Sequence, residues 1–233
     1  MVRRPVLYTL RISLLLLVLS GCAHEASTTA PPTLRLYIAR HGQTDWNAER
    51  RLQGQTDTQL NDTGRRQAAQ LAESLQGVRF DAVYSSTLRR SRETAEILRR
   101  DVPLTSLAGL CEQALGKFEG LHLAGADSAA VAEFRRRSDD PEDTLDGGES
   151  ANQFFARVRA AVDTIRVRHA SGSILVVGHG GTNQMILRAL LDLDAAQADS
   201  IHQANDELYL LEFAAGLPPR LWKRITTANL GDL

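Results

Sequence analysis

Little in this sequence favours a cross-linked, membrane-spanning or nucleic-acid-binding protein. Only two cysteines occur among its 233 residues, Cys22 and Cys111, too few for a disulfide framework. No carboxylates or cysteines cluster at the spacing of a metal site. The most apolar stretch, residues 12–19, is far shorter than the roughly 20 residues a helix needs to cross a bilayer. Neither charge dominates: 27 basic side chains face 28 acidic ones, which removes the basic surplus expected of a nucleic-acid partner. Internal repeats are absent, and so is any linker beyond residue 33. What remains is ordinary globular composition, 43% hydrophobic and 24% charged, in a chain long enough for one α/β domain with a sizeable core.

The first residues stand apart. Arg3, Arg4 and Arg11 flank the apolar stretch, and Ser20-Gly21 follow it. A basic region, a short apolar region and small residues at a cut site describe a secretory signal. Leu19-Ser20-Gly21-Cys22 resembles a bacterial lipobox, which implies that Cys22 is lipidated and becomes the new N-terminus. Cleavage there removes three arginines and no acid, leaving 212 residues with 24 basic against 28 acidic groups. Lipid on Cys22 leaves Cys111 without a partner, so the exported domain must rely on its core. Residues 23–32 (AHEASTTAPP) are small, polar and proline-bearing, a flexible tether. The expected organisation is a signal peptide over 1–21, a tether over 22–33 and one domain over 34–233. Ala23 after the lipidated cysteine, rather than aspartate, implies passage to the outer membrane, with the domain in the periplasm.

Beyond the tether, strands and helices alternate. Residues 34–38 (LRLYI) read as a strand. Asn61-Asp62-Thr63 offer helix caps, and Ala68, Leu71, Ala72 and Leu75 follow at helical spacing. Residues 80–84 are a second strand candidate, followed by a charged helix holding Thr94, Ile97 and Leu98. Ser150 caps a helix with Phe154, Phe155, Val158, Val162 and Ile165 on one stripe. Residues 174–177 (ILVV) form the clearest buried strand; residues 185–191 are helical and 208–213 a further strand. The alternation predicts a mainly parallel sheet with helices on both faces. Residues 121–148, rich in glycine and acid, read as an insertion with at most one short helix, 128–137, and no strand.

Ligands of an open α/β sheet bind beyond the carboxyl ends of its strands. The first strand runs into Arg40-His41-Gly42, the second into Ser85-Ser86 with Arg90 about a turn further on, and the ILVV strand into Gly178-His179-Gly180-Gly181. Two histidines and two arginines thus converge. Glycines beside both histidines predict close approach of a ligand to the backbone, and two guanidiniums with helix N-termini favour a phosphate.

Arg40-His41-Gly42-Gln43-Thr44 with Trp46-Asn47 resembles the RHG[ED]T-x-WN signature of the histidine phosphatase superfamily, which includes the phosphoglycerate mutases. The similarity continues through Arg51-Leu52-Gln53-Gly54, Leu60 to Gly64, Tyr84 to Arg90, Leu110-Cys111-Glu112, Gly116, Glu119-Gly120, Gly147 to Ser150 and Val177 to Gly181, in family order. Gln43, Thr87, Phe118 and Gly178 depart from the commoner residues. The resemblance implies the three-layer α/β fold of phosphoglycerate mutase-like proteins. It implies a nucleophile at His41 and a phosphoryl cradle of Arg40, Arg90 and His179. Asn47, Gln53 and Gly180 are implied in substrate binding, and Glu112 as the acid that protonates the leaving alkoxide and then activates water. For that task Glu112 must start protonated, which burial or the approaching phosphate favours. Arg89 is the rival to Arg90, and Glu119 to Glu112. Arg135, Arg136 and Arg137 form a solvated helix end or bind an acidic substrate group. No cofactor or metal is implied, since arginine and histidine supply the positive charge. The expected activity is metal-independent hydrolysis of a small phosphomonoester through a phosphohistidine. The alternatives are phosphoglycerate mutase, disfavoured by the export signal, and a non-catalytic binding protein on the same fold.

Overall fold

The structure, a computed structural model, describes residues 33–124 and 128–225. The expected signal peptide, Cys22 and the expected tether up to residue 32 lie outside those residues. In chain order the elements are β1 (Thr33–Arg40), α1 (Asp45–Ala48), α2 (Asp62–Ser74), β2 (Ala82–Ser85), α3 (Arg89–Leu98), β3 (Leu104–Ser106), α4 (Ser128–Ser138), α5 (Ala151–Arg168), β4 (Gly172–Gly178), α6 (Gly180–Leu191), α7 (Ala195–Asp199), β5 (Glu207–Ala214) and β6 (Arg220–Ile225). Single 3-10 turns sit at Ala108–Leu110 and Gly116–Phe118.

Among the described residues, six strands form one sheet in the order β3-β2-β4-β1-β5-β6. The first four in that order run parallel, and β5 and β6 are added antiparallel at one side. Side chains along a strand alternate between faces. Leu34, Leu36 and Ile38 of β1, with Ile174 and Val176 of β4, pack against Phe154, Val158, Val162 and Ile165 of α5 and Ile186 and Leu187 of α6. Tyr37 and Ala39, with Leu175 and Val177, pack against Leu71 of α2 and Ala95 and Leu98 of α3. Burial on both faces explains why ILVV is an unbroken apolar run. The result is the expected three-layer α/β fold with helices on both faces.

Local signals set the helix starts. Asn61 accepts the Gly64 N–H at the head of α2, and Ser150 forms a capping box with Gln153 at the head of α5. Three features went beyond the sequence reading. The strand expected over 80–84 is β2 at Ala82–Ser85, and Phe80, ahead of the ladder, packs edge-on against Tyr37 with 5.3 Å between centroids. The edge strands β3 and β6 were not expected. One is three residues long with two exposed, and the other carries Arg220, Lys223 and Arg224; short, charged edges hide the apolar signal. The segment 121–148 holds α4 as expected, and an isolated bridge, Arg51 to His122, flanked by backbone hydrogen bonds from Leu52 to Leu121 and from Leu123 to Arg50, pairs its start with the loop after α1. It shares a small apolar cluster with the preceding turn: Leu115, Phe118 and Leu145, with Leu52, Leu121 and Phe134 against them.

Candidate active site

Strand order decides where the functional side chains meet. Because β4 lies between β2 and β1, the carboxyl ends of these three strands are neighbours. Arg40 pairs with Gly178 in register, and the His41 N–H extends the ladder to the Gly178 carbonyl at 3.0 Å. His41 and His179 therefore follow adjacent strands, with ring centroids 5.0 Å apart. Ser86, just beyond β2, reaches His179 Nε2 through its hydroxyl at 2.8 Å.

His41 is buried, and its Nδ1 lies 2.8 Å from the Gly42 carbonyl oxygen. A carbonyl only accepts, so Nδ1 carries the proton and Nε2 keeps its lone pair. Arg90 is 1% exposed. Its Nη1 donates to the Thr56 carbonyl at 2.8 Å and its Nη2 to the Gly54 carbonyl at 2.7 Å. Arg89 points outward and pairs with Glu93 at 2.6 Å, so the helix turns Arg90 inward. Arg40 donates through Nη1 to the Gln203 carbonyl at 2.5 Å. Among the described residues, four buried side-chain atoms have no protein partner: Arg40 Nε, Arg90 Nε, His179 Nδ1 and the acceptor Asn183 Oδ1. Buried polar atoms are nearly always satisfied. The three orphaned nitrogens, on the residues that surround His41, mark a place built to receive an acceptor-rich group.

Glu112 completes the group. Its Oε2 accepts the Gly181 N–H and its Oε1 the Gln113 N–H, both at 3.0 Å. Glu119 faces elsewhere, bonding Gln55 N, Leu115 N and the Thr56 hydroxyl. Gln53 is buried, and its Oε1 accepts from the hydroxyls of Thr44 and Thr58. Thr44 caps α1 in a box with Asn47, whose Oδ1 accepts the Thr44 N–H at 3.1 Å. Arg137 is bound by Asp143 and Asp146 at 2.6 Å each, while Arg135 and Arg136 are exposed.

The glycines beside the histidines differ in what surrounds them, and a Cβ on Gly180 would meet only ordinary van der Waals contact, 3.4 Å from Arg40 Cζ. A Cβ on Gly42 would lie 2.4 Å from the Gly64 carbonyl oxygen, and one on Gly181 would lie 2.6 Å from Glu112 Oε1. At Gly42 and Gly181 the protein's own groups fill the space that a side chain would take.

Several supporting residues escaped sequence reasoning. Asn205 donates through Nδ2 to the His41 carbonyl at 2.7 Å, and the Gln203 side chain ties Asn183, Ile38 and Glu207 together beneath Arg40. Arg157 pairs with Glu149 at 2.6 Å and donates to the carbonyls of Gly109, Cys111 and Glu112. Polar residues just ahead of a buried strand, as at 203–205, are the one available hint.

Burial, then the positive charges of Arg90 and Arg40, pushes His41 well below the ordinary imidazole pKa; burial, then Arg90, His41 and Arg40, does the same to His179. Both rings are neutral at neutral pH. An unfolded chain protonates its histidines near pH 6.5, whereas the folded one resists. Stability is therefore complete above that pH and falls as pH drops below it, by up to about 1.4 kcal/mol per pH unit for each ring. Urea denaturation from about pH 7 to about pH 5, in phosphate-free buffer, is expected to show this slope. His179→Gln should flatten it; an unchanged slope would mean that the ring is not held neutral.

Among the described residues, no group of three or more His, Cys, Asp or Glu side chains is placed to hold a metal ion. The profile of the histidine phosphatase superfamily (branch 1) matches residues 36–222. A broad-specificity phosphatase of Saccharomyces cerevisiae is 32% identical over 215 residues, covering 85% of this chain and 88% of its own length. A probable phosphoglycerate mutase of Shigella boydii is 33% identical over 192 residues, covering 79% of this chain and 87% of its own. The solved structure of a mycobacterial glucosyl-3-phosphoglycerate phosphatase has a TM-score of 0.71 at 31% identity, over 81% of this chain and 97% of that one. A profile that spans nearly the whole folded region, together with relatives of this identity and coverage, makes the chain a member of the histidine phosphatase superfamily.

Proposed function

We propose that this protein hydrolyses small phosphomonoesters through a phosphohistidine on His41, without a metal ion. The observation that carries this reading is the set of orphaned buried donors on Arg40, Arg90 and His179 around the free Nε2 face of His41. A phosphoryl group has three equatorial oxygens to stabilise, and phosphoryl transfer rests chiefly on positioning and charge. With Ser86 donating to His179 Nε2, Nδ1 bears the proton and donates to one of those oxygens. His41 Nε2 forms a bond to phosphorus as the ester P–O bond breaks, and Glu112 gives its proton to the departing alkoxide. Water then loses a proton to Glu112 and attacks phosphorus, the P–N bond breaks, and phosphate leaves. The names of the yeast relative and the mycobacterial neighbour support a phosphatase. Purified protein should release inorganic phosphate from an aryl phosphate at an undiminished rate in excess chelator. Loss of activity that a divalent ion restores would sink the metal-free mechanism, and no turnover at all would favour the non-catalytic reading.

The same proposal places the enzyme on a lipid anchor at Cys22, supported by the arginine-flanked apolar run and the Leu19-Ser20-Gly21-Cys22 sequence. Each buried methylene of an acyl chain adds about 0.8 kcal/mol, so several chains hold firmly where one does not. Cys22→Ser should move the protein out of the membrane fraction while leaving the catalytic constants of the folded domain unchanged. An unmodified mature N-terminus on a wild-type protein released by osmotic shock would remove the anchor and leave the phosphatase reading intact.

A further inference from the structure

The mechanism uses Arg90 but leaves Glu119 without a task. Glu119 is partly buried and spends its whole carboxylate on the protein. Its Oε1 accepts the N–H groups of Gln55 at 2.8 Å and Leu115 at 3.1 Å, and its Oε2 accepts the Thr56 hydroxyl at 2.5 Å. The segment that carries it is fastened alongside: Gly120 N donates to the Leu52 carbonyl, Leu52 N to the Leu121 carbonyl and Arg51 Nε to the Gly120 carbonyl. The loop it grips is the one that holds Arg90, since the carbonyls of Gly54 and Thr56 receive the two Nη groups. Gly54 sits at φ +54°, and a Cβ there would lie 2.2 Å from Glu119 Oε1. The loop is thus shaped around the carboxylate.

We propose that Glu119 is a positioning residue for the phosphate: by fixing the Gly54–Thr56 carbonyls it holds the Arg90 guanidinium by its Nη edge and leaves Nε for a phosphoryl oxygen. This rests on the phosphatase reading of the site. A side chain that acts by accepting hydrogen bonds differs from one that delivers a proton. Glutamine keeps an acceptor oxygen for the two N–H groups, and its amide end donates to the Thr56 hydroxyl, which turns to accept. Alanine removes all three bonds and frees the loop.

The test compares Glu119→Ala, Glu119→Gln and Thr56→Val with wild type. Affinity for inorganic phosphate is measured by calorimetry, and kcat and KM are measured on one aryl and one alkyl phosphate. Glu119→Ala is expected to weaken phosphate binding about ten- to a hundredfold, the range of a lost charge-assisted hydrogen bond. It should slow both substrates by the same factor. Glu119→Gln should recover most of the affinity, and Thr56→Val, which removes one bond, should fall between. Should Glu119→Ala fail to fold, Thr56→Val alone still decides. Wild-type phosphate affinity in Glu119→Ala or in Thr56→Val overturns the proposal while leaving the phosphatase reading in place. So does a Glu119→Gln variant as impaired as alanine, or slowed on the alkyl ester alone, which would make Glu119 a proton donor. A wild type that neither binds phosphate nor turns over either ester removes the reading of the site and this proposal with it.

Discussion

Replacing His41 by alanine is expected to cut phosphomonoester hydrolysis by about 10⁴-fold or more, the order found when a covalent nucleophile is removed. The loss should fall on chemistry rather than on folding. The ring's one protein hydrogen bond is local, to the carbonyl of the next residue. The backbone of His41 stays anchored by the Gly178 carbonyl and by Asn205 Nδ2. Wild type mixed briefly with labelled substrate and quenched without acid should yield a phosphoenzyme that is stable in base and labile in acid. Recovery of the label on another residue, or full activity in the alanine variant, would falsify the assignment.

The second large effect depends on the substrate. Glu112→Gln is expected to slow an alkyl phosphate by about 10²- to 10⁴-fold, the usual contribution of a positioned acid or base. An aryl phosphate should be slowed far less, since a phenolate leaves without a proton. Glutamine fills the same volume and retains an oxygen for one of the two backbone donors, Gly181 N or Gln113 N. The comparison between leaving groups therefore isolates the proton. Equal slowing of both esters would remove Glu112 from this role and point to disturbance of the pocket.

The parts of this molecule that the sequence made legible are those whose residue types answer to one local constraint. The ILVV run announces burial on both faces, Asn61 and Ser150 announce helix starts, and histidines at strand ends announce a site on the sheet's carboxyl edge. Arg90 was separable from Arg89 by helical register, a short-range property. What stayed hidden depends on long-range placement. Nothing local in Gln203 or Asn205 tells that one carbonyl receives Arg40 and one amide supports His41, more than 160 residues away. Nothing local marks Arg157 either, yet it gathers the carbonyls of the Glu112 loop. The glycines were noticed, but the atoms that fill the space beside them come from elsewhere in the chain, Gly64 beside Gly42 and Glu112 beside Gly181. The edge strands were missed because exposure strips them of the apolar pattern that marks a strand.

The position of β1 also shapes how the chain is made. It is the first strand among the described residues, yet its two neighbours are β4 and β5, and Leu34 waits for Gly172, about 140 residues later, and for Phe213. Until the ribosome has delivered most of the polypeptide, this apolar segment has no native partner and its edges remain open. Such late, distant pairing makes for slow folding and a longer interval in which the nascent chain is exposed to aggregation or to chaperones. The site inherits the same schedule. Arg40 and His41 emerge early, but the carbonyl of Gln203 and the amide of Asn205 that fix them emerge more than 160 residues later. A polypeptide cut short before them can carry the nucleophile and still have no organised phosphate cradle.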